Sequence, residues 1–459
     1  MNVPIPVFFL FSFLVVFLFY YRPPVLFFLY PVAVMVLPTF RGMVGMPVYL
    51  FDALAIPMLI IVFRRGARGA WPRGVFPWPK AIVFLLVVFG TIIPIFRYGF
   101  YPEILWIAFH AYLALIFLYV GSAFVTSPDL KSHAAFFTWG IIVALGMLAV
   151  IATLERGSPS LSALFNGIYH RDTAADSATL NSDPNGDFHA EMTSERASAG
   201  FGSANNLAEL VLLAAAWVWF VKGGRLGLIA WAFALLAIFD TVSRQALVGA
   251  VVILLGYGLL RGGRVTMQTI SGLAITPVVL PLLFLVPQLD SWTERLGRLQ
   301  NGVDEANVSA RLAEGPERLF ALIDQRVDVL ALGVGMNVHK LAAKGIDVGI
   351  LDSGFASNAF LLALYFFGIV GFLIFVAYWL ACIWASLQLP RSMMAKAFPL
   401  AIASAFLFFV DNAGLVTEAS MALFGLVAGS IFAHQGLVIQ QRRQLKAGVV
   451  YPVRQAVDA

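Results

Sequence analysis

Apolar runs recur along this chain at approximately 5–21, 24–40, 47–63, 80–97, 103–125, 134–153, 204–221, 226–240, 246–260, 269–287, 356–386, 398–412 and 418–438. A helix needs about 20 residues to cross the hydrocarbon of a bilayer, and only backbone that satisfies its own hydrogen bonds is stable there. The pattern predicts an all-α polytopic membrane protein with about 12–13 transmembrane helices, a single integral membrane domain over 1–459. Pro23, Pro24, Pro31 and Pro38 cut the second run short, so a re-entrant segment and a total of twelve is the alternative.

Composition points the same way. The chain is 60% hydrophobic and 12% charged, where a soluble protein carries about 25% charge. A pI near 9.3 raises the question of nucleic acid, but the basic residues sit in short clusters between apolar runs, which is how membrane proteins encode orientation. No nucleic-acid partner is expected. The single cysteine, Cys382, lies in an apolar run, which excludes an internal disulfide or a cysteine-rich metal site. Apolar residues follow Met1 directly, without a basic leader or a convincing cleavage site, so the first helix is expected to be retained.

Orientation follows from Lys and Arg in the short loops. Arg64, Arg65, Arg68, Arg73 and Lys80 form a basic loop without an acid, which belongs in the cytoplasm. Alternation then puts Lys131, Lys222/Arg225, Arg261/Arg264, Arg391/Lys396 and the Arg442–Arg443–Lys446 tail on the same side. Those loops hold 16 basic residues against two acids, Asp129 and Asp458. The two long loops, 154–203 and 288–355, fall outside, and the C-terminus is cytoplasmic.

The first outer loop, 154–203, is rich in Ser, Asp, Asn, Gly and Ala and lacks the makings of a core. Its end reads Arg196-Ala-Ser-Ala-Gly200-Phe-Gly-Ser-Ala-Asn205-Asn206-Leu-Ala-Glu209 and leads into a helix, with Asn205 or Asn206 placed to cap it. A glycine turn with an N-cap explains these residue types. The functional reading adds Arg196 as an anion contact at a helix N-terminus. Asp240-Thr-Val-Ser243-Arg244-Gln245 connects two further apolar runs on the same side. Arginine is costly at membrane depth; either Asp240 pairs with Arg244, or Arg244 offers its five-donor fork to phosphate oxygens.

From Gln288 to Asp352 the chain holds seven Lys/Arg and ten Asp/Glu, so 17 of its 55 charged residues fall in 65 positions. This large outer loop is where chemistry is expected, over a membrane cavity. Gly315-Pro316 opens a helix through about Val329, with Leu319, Leu322, Ile323, Val327 and Leu330 on one face and Arg311, Glu314, Arg318, Gln325 and Asp328 elsewhere. Most of these charges read as a solvated face, the polar side being free to meet a ligand. Gly333-Val-Gly335-Met-Asn337 makes a flexible turn, and Asp352-Ser-Gly-Phe-Ala-Ser357-Asn358 enters a helix bearing Gly368 and Gly371.

In their order these pieces resemble the O-antigen ligase and O-antigen polymerase superfamily of bacterial surface-polysaccharide enzymes. The pieces are the Arg196-x-x-x-Gly-Phe and Asn-rich helix start, the Ser243-Arg244 pair, the Arg-Leu helix leading to Gly333-Val-Gly335, and the polar junction before Gly368 and Gly371; they span about 196 to 371. The resemblance implies metal-independent transfer of a glycan from undecaprenyl pyrophosphate to an acceptor hydroxyl at the outer face of the inner membrane, without a cofactor. It implies Arg196, Arg244 and one of Arg311 or Arg318 as donor pyrophosphate contacts, since fixed guanidinium groups stabilise the charge that develops on the leaving pyrophosphate. Gly333, Gly335 and Asn358 are structural in this scheme, as are Asn205 and Asn206. Membrane lipid, a flippase and a chain-length regulator are the implied partners.

Ligases of the superfamily carry a His-Asn pair before the glycine-bearing helix, whereas this chain has Ser357-Asn358. Asp352 at the junction suits polymerases and is the candidate base for the acceptor hydroxyl, with His339 the alternative. Polymerisation of lipid-linked repeats is therefore the preferred activity and ligase-type transfer to an acceptor the second. A transporter of polysaccharide or lipid-linked sugar is the reading from another class, since Pro277, Pro281 and Pro287 in one run suit a moving carrier. It predicts ionisable groups at mid-helix depth, whereas here the arginines gather toward one face. No nucleotide-binding glycine loop, acidic metal pair or zinc-ligand spacing is present.

Overall fold

A computed structural model describes residues 5–37, 41–44, 46–66, 88–101, 104, 116–158, 160–161, 164–165, 197, 199, 204–241, 243–260, 327–335, 359–410 and 418–446. Within these residues the chain is an all-α polytopic membrane protein, with five helices long and apolar enough to cross a membrane: Pro128–Gly157, Ala204–Val221, Gly224–Thr241, Phe366–Leu387 and Ala422–Lys446. Shorter apolar helices accompany them. Large apolar side chains on the outside, such as Phe9, Leu10, Phe13, Leu255, Leu373 and Trp384, suit hydrocarbon rather than water.

In chain order the helices are α1 (Ile5–Tyr21), α2 (Pro23–Val36), α3 (Leu50–Gly66), α4 (Ile93–Tyr98, entered through a π turn at Val88–Ile92), α5 (Ile116–Thr126) and α6 (Lys131–Gly157). They continue as α7 (Ala204–Val221), α8 (Gly224–Thr241), α9 (Arg244–Leu260), α10 (Val327–Leu332), α11 (Ala359–Leu387), α12 (Arg391–Val410) and α13 (Glu418–Lys446). An antiparallel hairpin, β1 (Arg41–Val44) with β2 (Met46–Tyr49), pairs Arg41 with Tyr49 and Val44 with Met46 between α2 and α3. The apolar runs gave no sign of it. The proline-rich second run forms 14 helical residues with Pro31 inside, a rise of about 21 Å and less than a full crossing. The run at 269–287 and the polar stretch 288–326 lie outside the described residues.

Two ends of the bundle can be told apart by what meets there. At one end Arg65 approaches His133 (3.4 Å), Ser127 Oγ donates to the Arg65 carbonyl (3.4 Å), and Arg442 donates to the Gln388 carbonyl (3.5 Å). The corner between α7 and α8 belongs there too: a Cβ on Gly223 would lie 2.7 Å from the Lys396 ammonium. The described parts of the basic loops grouped from the sequence therefore share one end; Arg68, Arg73, Lys80, Arg261 and Arg264 lie outside the described residues. At the other end lie the last turns of α6 and α8 and the first turns of α7 and α9.

Between the ends, packing rather than the hydrophobic effect must join the helices, because lipid tails are as apolar as leucine. Small residues permit the closest approaches. A Cβ on Gly121 would lie 2.4 Å from the Leu426 carbonyl, and one on Gly429 would lie 2.0 Å from that of Leu118, so α5 and α13 touch backbone to backbone. Aromatic rings fill the centre: Tyr30 stacks on Phe117 (5.1 Å), and Phe137 meets Trp217 edge-on (5.9 Å). The Trp217 indole donates to Ser430 Oγ at 3.2 Å, so this buried N–H has a partner.

Candidate functional site

The corner at this second end is built from the last turn of α6. The sequence reading started the first outer loop at Leu154; instead the helix runs to Gly157, which puts Glu155 and Arg156 on a helix rather than in a loop. The two side chains point in different directions, being one residue and so about 100° apart on the helix. Arg156 shares a face with Thr153, three residues earlier, and both engage α8. Thr153 Oγ1 donates to Asp240 Oδ2 at 2.7 Å, Arg156 lies 3.8 Å from Asp240 Oδ1, and its guanidinium donates to the Phe239 carbonyl at 3.1 Å. Asp240 is fully buried and Arg156 nearly so, a setting in which a charge is tolerated only when paired.

Among the described residues Asp240 takes its partners from α6, and its role is to tie two helix ends together. Arg244 is the first residue of α9; its side chain lies outside the described residues. Ser243 is the cap position, its carbonyl accepting from the Leu247 N–H at 3.2 Å. The Ser243 hydroxyl is buried and has no hydrogen-bond partner among the described residues.

Glu155 serves the other segment. Its carboxylate accepts a 2.9 Å hydrogen bond from the Ala199 N–H, and the Ala197 N–H reaches the Asp240 carbonyl at 3.3 Å. The residue after Arg196 is thus bonded to a residue four before Arg244. Arg196 itself lies outside the described residues. Ala199 adopts φ 43°, a left-handed conformation that costs an alanine about 1–2 kcal/mol and persists only where surrounding bonds over-determine it. Helix α7 begins at Ala204, so Asn205 and the buried Asn206 fall in its first turn. Glu209 is buried one turn further on.

The described part of the large polar loop, 327–335, is anchored at a second place. Helix α10 ends at Gly333, whose N–H donates to the Val329 carbonyl (2.7 Å), and the Gly335 N–H donates to the Phe366 carbonyl (2.9 Å). It docks where α11 is broken: Gly368 has φ 61° and ψ −177° inside the helix, a conformation open essentially only to glycine. A Cβ on Gly333 would lie 2.3 Å from the Phe366 carbonyl, and one on Gly368 would lie 2.4 Å from the Ala331 carbonyl. The two glycines are required by each other's backbone.

The face of α10 differs from the one expected. Val327 is exposed and Val329 is buried, because Asp328 is held by Arg97, whose guanidinium bonds the carboxylate (2.5 Å) and the Asp328 carbonyl (2.9 Å). That acid, placed on a ligand-facing side from the sequence, fixes the loop to α4. Arg311, Arg318, His339, Asp352 and Asn358 lie outside the described residues.

Glu155 and Arg156 were missed because their partners are 44 to 84 positions away, a distance no periodicity reports. One signal was available: an acid and a base side by side at the outer end of a span call for partners in a chain this poor in charge. No protein-family model and no curated protein matches the chain, so the functional reading rests on these residues and their arrangement.

Proposed function

We propose that this protein polymerises undecaprenyl-pyrophosphate-linked oligosaccharide repeats into an exopolysaccharide or O-antigen chain at the outer face of the bacterial inner membrane. The observation that carries the reading is the Ala197 N–H to Asp240 carbonyl bond, which joins the segment after Arg196 to the helix end before Ser243 and Arg244. Ala197, next to Arg196 in sequence, and Asp240, four residues before Arg244, thereby belong to one corner, near the starts of α7 and α9, where backbone N–H groups favour an anion.

In this reading an acceptor hydroxyl of one lipid-linked glycan attacks the anomeric carbon of another. The bond from that carbon to the pyrophosphate oxygen breaks, undecaprenyl pyrophosphate leaves with the electron pair, and the hydroxyl proton passes to Asp352 or His339. Arg196, Arg244 and one of Arg311 or Arg318 neutralise the leaving group. Basic loop ends at the opposite end of the bundle face the cytoplasm, which sets the C-terminus inside. A flippase supplies the substrate and a chain-length regulator limits the product.

Replacing Arg244 with Ala tests the reading in cells. Single, unpolymerised repeats on the lipid or the cell surface are expected, with only partial recovery in Arg244→Lys, which lacks the bidentate fork. Long lipid-linked polymer that is never attached to its acceptor would instead make the protein a ligase.

A further inference from the structure

We infer that Glu155 is a positioning residue of the donor site: by holding the Ala197–Ala199 turn it keeps Arg196 at the corner where α9 begins with Arg244. The inference rests on the pyrophosphate reading above and adds to it a residue that would not touch the substrate. Three observations carry it. Glu155 is buried on the last turn of α6, with 6% of its surface exposed; such burial is stable only with hydrogen-bond partners, and the Ala199 N–H is one.

The turn it holds has a strained centre. Ala199 at φ 43° would relax unless fixed from both sides, and it is fixed by Glu155 on one side and, through Ala197, by the Asp240 carbonyl on the other. The third observation is that one turn of α6 sets both partners of the corner. Thr153 and Arg156 hold the end of α8, three residues before Ser243, while Glu155 holds the segment that follows Arg196. A shift of Glu155 moves the backbone at Ala199 and Ala197 relative to the end of α8.

The test is binding of undecaprenyl pyrophosphate to the full-length protein in lipid nanodiscs. Glu155→Asp keeps the charge but withdraws the carboxylate by one methylene, and it should weaken binding about fivefold to tenfold, as loss of one charge-assisted hydrogen bond does. Glu155→Gln keeps both reach and acceptor and should recover most of the affinity. Because Glu155 acts through Arg196, adding Glu155→Asp to Arg196→Ala should cost nothing further, whereas a general loss of structure adds to every background. Unchanged binding in Glu155→Asp, additive losses in the double variant, or loss in Gln with retention in Asp each overturns the inference. Should Arg244→Ala and Arg196→Ala both bind as the unaltered protein does, the pyrophosphate reading falls and takes the inference with it; if those two lose affinity and Glu155→Asp does not, only the inference falls.

Discussion

Thr153 Oγ1 donates a 2.7 Å hydrogen bond to Asp240 Oδ2, joining two helix ends that lie 87 positions apart and run in the same direction through the bundle. Arg156 stands on the other oxygen of the same carboxylate. Together they convert a pair of buried charges into the fastening of the outer corner, and removing either member leaves the other uncompensated out of water.

Stability should therefore respond strongly at Asp240 and mildly at Thr153. Asp240→Leu strands the Arg156 guanidinium, a loss of roughly 3 kcal/mol, while Thr153→Val removes one neutral donor, a loss of about 1 kcal/mol. Thermal unfolding of the purified protein in detergent checks the order. An Asp240→Leu melt that coincides with the unaltered protein would show that the pair does not fasten the corner.

Ala199 offers a change in the opposite direction. Glycine adopts φ 43° without the Cβ penalty that alanine carries, so Ala199→Gly should raise the melting temperature, by relief of strain worth up to about 1 kcal/mol after the added freedom of the unfolded chain is subtracted. A lower melting temperature would mean that the turn is not strained.

The link between Arg97 and Asp328 should be weak taken alone. Arg97 is 16% exposed and Asp328 53%, and pairs so open to water contribute about 1 kcal/mol or less. Arg97→Gln should leave the melting temperature nearly unchanged while raising protease cleavage around α10, and the exchanged pair Arg97→Asp with Asp328→Arg should reverse part of that. Equal cleavage in all three proteins would show that the contact does not hold the loop.

How far the sequence carried this architecture depends on what each element needed. Hydropathy located most helices within a few residues, because a span is a local demand for apolar length; α7 and α9 fall close to their expected runs. It missed the hairpin at 41–49, whose apolar residues read as helix ends, and it ended α6 too early, since Glu155 and Arg156 look like loop residues until their partners are known. The sequence reading named Gly333 and Gly335 as a turn and Gly368 with Gly371 on the next helix, but the reason Gly333 and Gly368 are glycine is spatial: a turn fits into a helix break, and no spacing in the sequence states which carbonyl each must clear. Proximity in sequence offered Asp240 only Arg244, whose side chain lies outside the described residues; the partners of Asp240 on α6 are 84 and 87 positions away.

The glycine pair gives the sharpest prediction about the outer loop. Gly333 and Gly368 each have positive φ, and each lies so close to the other's strand of backbone that an added methyl would sit 2.3 to 2.4 Å from a carbonyl oxygen. Alanine at either position has to push the Gly333–Gly335 turn off the break in α11, and with it the hydrogen bond from Gly335 to Phe366. Once the turn is displaced by the first substitution, the second meets no further obstacle. The losses of Gly333→Ala and Gly368→Ala should therefore be far from additive in the double variant, each single change costing several kcal/mol of docking through clash and backbone strain. On the proposed activity, the ladder of chain lengths at the cell surface should collapse to the same short products in all three variants. Full-length ladders from Gly368→Ala would mean that the docked turn is not needed for activity.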